Sequence, residues 1–131
     1  MVNKDIKFLI IDDSISIRKI VSHILSQIGY TNVFPAKDGE EAYKILVEHS
    51  TKPKPIQFII SDWNLPKMSG LDFLKKCRAQ KEFALVPFLL VTAVTDSDII
   101  RLALTEGITD YINKPFSPAL LKSKLDKYII K

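Results

Sequence analysis

The sequence predicts a three-layer α/β domain, a doubly wound (βα)5 arrangement in which helices cover both faces of a parallel five-stranded sheet. Three observations carry this. Short apolar runs recur along the chain, segments with helical spacing alternate with them, and Gly, Pro, Asn and Asp clusters mark the joints. At 131 residues the chain fits one domain, long enough to bury a core without disulfide staples.

The first run, Lys7-Phe-Leu-Ile-Ile11, reads as a buried strand ending in Asp12-Asp13-Ser14. Ile17, Ile20, Val21, Ile24, Leu25 and Ile28 then form a helical stripe closed by Gly29, with His23 off the stripe as a surface side chain. Tyr30 to Ala36 is a short strand whose Pro35 implies a sheet edge or a strand end. Asp38 opens the next helix, Glu40 and Glu41 suit its positive N-terminal dipole, and Ala42, Ile45 and Leu46 form its buried side. His49 to Pro55 is the longest linker-like stretch.

Phe58-Ile-Ile-Ser-Asp62 is bounded by Pro53, Pro55, Pro66 and Gly70 too tightly for a helix, so it is a buried strand. Leu71, Phe73, Leu74 and Cys77 make a helix face. Val86 to Val91 is a fourth strand, leading to Thr92-Ala93. Asp96-Ser97-Asp98 caps a helix from Ile99 to Glu106 that Gly107 terminates. Asp110 to Phe116 is a short strand leading into a loop; Ser117-Pro118 starts a last helix that buries Leu121, Leu125, Tyr128 and Ile129.

Composition narrows the function. The net charge of +4 is spread over several helices and a Pro-rich loop, and no zinc-ligand pattern or aromatic-interleaved basic strand occurs, so nucleic-acid binding is not expected. No apolar run approaches a membrane span, and the single Cys77 reads as a small helix hydrophobe in a reducing compartment, so the expected location is cytoplasmic.

Right-handed crossovers bring the C-terminal strand ends to one edge, which gathers Asp12, Asp13, Asp62, Thr92 and Lys114. Taken alone, Asp62 is either a ligand-site acid or a turn-capping aspartate. Clustered carboxylates repel, and a hard divalent cation such as Mg²⁺ is the natural remedy. With a lysine and a hydroxyl beside them, such a site can bind a phosphoryl group, and Asp62 can accept it. In the flavodoxin-like strand order 2-1-3-4-5, Asp62 ends the middle strand.

These residues resemble the receiver domain of two-component response regulators. The likeness spans essentially the whole chain: Asp12-Asp13, Asp62 with Pro66 and Gly70 after it, Thr92-Ala93, and Lys114-Pro115-Phe116. Ser61-Asp-Trp-Asn-Leu-Pro66 and Tyr111 are similar to the stand-alone chemotaxis regulators of that family. The resemblance implies a single receiver domain over residues 1–131 with no output domain. It implies a phosphoacceptor switch rather than a classical enzyme, one that assists its own phosphorylation and dephosphorylation. Asp62 would take phosphate from a histidine kinase, while Asp12, Asp13, Asp62 and the Asn64 backbone carbonyl would hold Mg²⁺. Lys114 would contact the phosphoryl oxygens, and Thr92 and Tyr111 would move as the switch. The surface of the fourth helix, fifth strand and fifth helix would then engage a downstream target such as a flagellar motor switch or another effector, with a phosphatase as a further partner. A phosphorelay carrier or another non-chemotaxis regulator is the alternative role.

Departures from the family pattern are Ser69 where an acid is common, Val94 two residues past Thr92, and Asp96 and Ser97 where enteric regulators carry lysines. An aspartyl-phosphate hydrolase of the haloacid dehalogenase type would need an acid at Asn64, and an FMN carrier would need a phosphate-cradling glycine cluster. Ile100 and Leu104 add a second apolar stripe to the fourth helix beside Ile99 and Ala103, which reads either as a helix sunk deeper in the core or as a docking patch, the second being preferred.

Overall fold

A computed structural model describes residues 5–93 and 97–129. Five strands alternate with five helices: β1 (Lys7–Ile11), α1 (Ile15–Ile28), β2 (Asn32–Ala36), α2 (Gly39–Ser50), β3 (Phe58–Asp62), α3 (Gly70–Ala79), β4 (Phe88–Thr92), α4 (Ser97–Thr105), β5 (Asp110–Asn113) and α5 (Pro118–Tyr128). All strand pairs are parallel, in the order β2-β1-β3-β4-β5, as expected. Pro35 does lie on an edge strand, where its missing N–H breaks no ladder.

Strand alternation builds two cores, one on each face. Phe8, Ile10, Phe58, Ile60, Leu89, Val91 and Ile112 face α1 and α5, packing on Val21, Leu25, Leu121 and Leu125. Leu9, Ile11, Ile59, Phe88 and Leu90 face the other way, onto Ala42 and Leu46 of α2, Phe73, Leu74 and Cys77 of α3, and Ala103 of α4. The three central strands are therefore apolar on both faces, which is why they read as uninterrupted runs rather than alternating ones.

The helix ends follow from local chemistry. Ser14, Asp38, Ser69 and Ser117 each accept a backbone N–H of the first turn, and Gly29 ends α1 at φ 118°. Ser69, a departure from the family pattern, thus acts as the cap of α3.

Two expectations need correction. Ile20, placed in the buried stripe of α1, is 51 % exposed, because α1 buries a narrower face through Val21, Ile24 and Leu25. His49, assigned to a linker, lies in the last turn of α2 and is buried; its Nδ1 is 3.1 Å from Lys7 Nζ and its ring meets Phe34 edge-on. The stripe proposed for α4 also divides, since Ile100 is buried with Ala103 in the core while Leu104 faces solvent. Val94 and the Asp96 cap lie outside the described residues. Among the described residues no helix is long and apolar enough to cross a membrane.

Candidate phosphoryl and metal site

The same alternation that sorts the core sorts the site. Two residues beyond Ile10 comes Asp12, two beyond Ile60 comes Asp62, and two beyond Ile112 comes Lys114, so all three continue the α1/α5 face at the C-terminal sheet edge. Thr92 follows Phe88 and Leu90 on the opposite face, where Tyr111 also packs. Leu90 pairs with Tyr111 and Thr92 with Asn113, so Thr92 and Tyr111 share one face on adjacent strands.

Asp12, Asp13 and Asp62 each offer an oxygen to a cluster whose members lie within 4.8 Å of one another. Asp12 and Asp62 are 3 % and 7 % exposed, whereas Asp13 faces solvent. Lys114 Nζ reaches both buried acids, at 3.0 Å from Asp12 Oδ2 and 3.2 Å from Asp62 Oδ2. The remaining carboxylate oxygens are tied down by main chain: Ser14 N–H donates to Asp12 Oδ1 at 2.9 Å, and Trp63 N–H donates to Asp62 Oδ1 at 2.8 Å. Lys114 N–H donates to the Thr92 carbonyl at 2.9 Å, carrying the β4–β5 ladder one residue past β5 and fixing the base of the lysine.

Burial pushes the Asp62 carboxyl above its ordinary value and Asp12 adds to this by repulsion, while the Lys114 charge and the Trp63 N–H oppose both. Burial alone would lower Lys114, but its bonds and charge contacts with Asp12 and Asp62 outweigh that and hold its ammonium above the ordinary value. Carboxylates 4.8 Å apart repel by about 3.5 kcal/mol at an effective dielectric of 20. Three carboxylates and one ammonium leave a charge of −2, which a divalent cation with hard-oxygen preference balances. The donor set therefore fits Mg²⁺ and, lacking His or Cys, not the softer metals.

Four of the predicted site residues, Asp12, Asp13, Asp62 and Lys114, come together directly. Thr92 is fully buried at the end of β4. Asn64 is exposed on the loop two residues past Asp62. Tyr111 stands away from the acids, with Lys124 Nζ 5.7 Å from its ring centre and Lys124 itself paired with Asp110 at 3.2 Å. Sequence reasoning missed Arg18, whose Nη1 donates to the Asp12 carbonyl at 2.6 Å and anchors the β1–α1 turn. It also missed the steric role of Gly70, where a Cβ would stand 2.4 Å from the Asp62 carbonyl oxygen. A lone arginine on a helix carries no signal of such a bond. The glycine did carry one, as a residue of the loop after Asp62, but its position in the sequence does not say which backbone it must clear.

Residues 8–126 match the family model described as the response regulator receiver domain. Vibrio cholerae chemotaxis protein CheY-3 is 40% identical over 127 residues, covering 97% of this chain and 94% of that protein. A Campylobacter jejuni chemotaxis protein CheY homolog is 38% identical over 120 residues, covering 92% and 89%. The solved structure of Vibrio cholerae chemotaxis protein CheY4 superposes with a TM-score of 0.82 at 37% identity, covering 95% of this chain and 98% of that one. With the sheet order, the acid cluster and its lysine already in place, these likenesses show that the chain belongs to the response regulator receiver family and is CheY-like.

Proposed function

We propose that the chain is a phosphorylation switch in which Asp62 accepts a phosphoryl group from the phosphohistidine of a histidine kinase. The observation that carries the reading is Lys114 Nζ lying at 3.0 and 3.2 Å from two acids on neighbouring strands, a cation already aimed at the place where phosphoryl oxygens would develop charge. An Asp62 carboxylate oxygen attacks phosphorus, a P–O bond forms, the P–N bond to the donor imidazole breaks, and the imidazole leaves with a proton from solvent. Asp12, Asp13, Asp62 and the Asn64 carbonyl would hold Mg²⁺, which supplies charge neutralisation for the phosphoryl oxygens when bound. The Trp63 N–H keeps Asp62 oriented, and Lys114 exchanges its carboxylate contacts for phosphoryl oxygens.

The switch works through the opposite sheet face. Thr92, drawn toward the phosphoryl group, leaves space on the face it shares with Tyr111, and Tyr111 moves inward, altering the α4-β5-α5 surface. Leu102 and Leu104, 43 % and 50 % exposed on α4, give that surface apolar contact for a downstream protein. About 5.5 kcal/mol of differential stabilisation carries such an equilibrium from 1:99 to 99:1, within reach of a dianion gaining a lysine and a metal. The names of the relatives make chemotaxis the pathway proposed, with the motor switch or another effector as target.

Incubation with Mg²⁺ and acetyl phosphate tests the chemistry. The expected product is a hydroxylamine-labile adduct on the wild type and none on Asp62→Asn. An adduct of equal yield on both would remove Asp62 from the role.

A further inference from the structure

Residues 63–69, between Asp62 and α3, include the one backbone position among the described non-glycine residues with positive φ, Lys67 at 66°. Met68 N–H donates to the Pro66 carbonyl at 2.7 Å, closing a three-residue turn around it. A lysine at positive φ in such a turn costs about 1–3 kcal/mol, and the conformation persists only where its surroundings hold it. The middle of the loop is held at the N-terminus of α2. Lys67 Nζ is 3.8 Å from Asp38 Oδ2, and this carboxylate cannot follow the lysine, being nearly buried and committed through Oδ1 to the Glu41 N–H at 2.8 Å. Met68 rests on Gly39 so closely that a Cβ there would stand 2.9 Å from its Sδ and 3.2 Å from its Cβ. At the far end, Gly70 N–H donates to the Trp63 carbonyl at 2.8 Å. The loop is thus pinned at its ends and pressed against α2 in its middle.

We propose that Lys67 and Met68 are positioning residues for the metal centre, seating the loop on α2 so that the Asn64 carbonyl is held ready for the cation. This rests on the Mg²⁺ reading above and extends it to residues that touch neither metal nor phosphate. An unseated loop has to be ordered when the cation binds, and that loss appears as weaker affinity. The lysine is mostly exposed and its ion pair long, so the expected loss is about three- to tenfold, below the range for buried supporting groups.

The test is a Mg²⁺ titration of unphosphorylated protein followed by the fluorescence of Trp63, the single tryptophan, beside Asp62. Gly39→Ala places a methyl under Met68 while favouring α2, since alanine exceeds glycine in helix propensity by up to about 1 kcal/mol. It is expected to keep or raise the thermal midpoint and yet raise the half-saturating Mg²⁺ concentration about three- to tenfold. Lys67→Gln keeps the strained backbone and removes only the charged tether, with the same expected weakening, and Lys67→Arg keeps binding to within about twofold of wild type. The proposal is overturned if Gly39→Ala and Lys67→Gln both stay within about twofold of a wild type that itself saturates. A wild type with no saturable response would instead overturn the metal assignment on which the proposal stands.

Discussion

Replacing Gly70 by alanine sets two effects against each other at the first residue of α3. Alanine is the better helix former by up to about 1 kcal/mol, which argues for stabilisation. The new Cβ, however, would stand 2.4 Å from the Asp62 carbonyl oxygen, 2.8 Å from Trp63 Cα and 3.0 Å from the Trp63 carbonyl oxygen. A relaxed carbon–oxygen contact is about 3.3 Å or longer, so α3 and the end of β3 must part by roughly 0.9 Å. Every atom in the way is backbone, and no side chain can rotate aside. Overpacking of this kind costs about 1–3 kcal/mol, and the upper half applies here, so the net change is a loss of about 1–2 kcal/mol. The same displacement moves the carboxylate held by the Trp63 N–H, and misplacement on the order of 1 Å slows a positioned reaction by up to about a hundredfold. Urea unfolding of Gly70→Ala alongside its rate of acetyl phosphate labelling measures both. A variant as stable as wild type that labels at the wild-type rate would refute the reasoning.

Lys114→Ala leaves Asp12 and Asp62 without their shared cation. Because the lysine is about a quarter exposed, the loss in metal-free buffer is expected at about 1–3 kcal/mol, less than for a fully buried pair, with part recovered on adding Mg²⁺. Asp110 presents the opposite balance: burial would raise its carboxyl, but the Tyr128 hydroxyl, the Tyr111 N–H and Lys124 hold it below its ordinary 3.8. Below 3.8 the unfolded chain binds the extra proton first. The Asp110 contribution is therefore present above pH 3.8 and is lost as pH falls through the folded value, so Asp110→Asn should flatten the acid limb of a stability–pH curve. Burial pushes the Cys77 thiol up to about 12, so a disulfide reagent at neutral pH should label it only as fast as the chain unfolds; immediate labelling of folded protein would contradict its place in the core.

Much of this structure was legible because the central strands are buried on both faces, and burial forces apolar runs that end where the sheet meets solvent. Acids at those ends, Asp12 and Asp62, therefore announced the site. Capping residues gave the starts of α2 and α5 for the same reason, since their side chains satisfy N–H groups that no helix can. Ile20 was misplaced because a stripe of isoleucines does not say how wide a face the sheet can cover. His49 was misplaced because proline and lysine around it resemble a loop, whereas its burial depends on Lys7 and Phe34, far away in sequence. The seat of the loop on α2 was invisible for a similar reason: Lys67 meets Asp38 and Met68 meets Gly39 only after folding.

Transfer from a radiolabelled phosphohistidine kinase in the presence of Mg²⁺, with the label located by peptide mapping, tests the role of Asp62 most directly. Label on the peptide that holds Asp62, lost in Asp62→Asn and slowed in Lys114→Ala, is the predicted result. Transfer that survives Asp62→Asn undiminished, or a folded wild type that takes no label from any histidine phosphodonor, would contradict it.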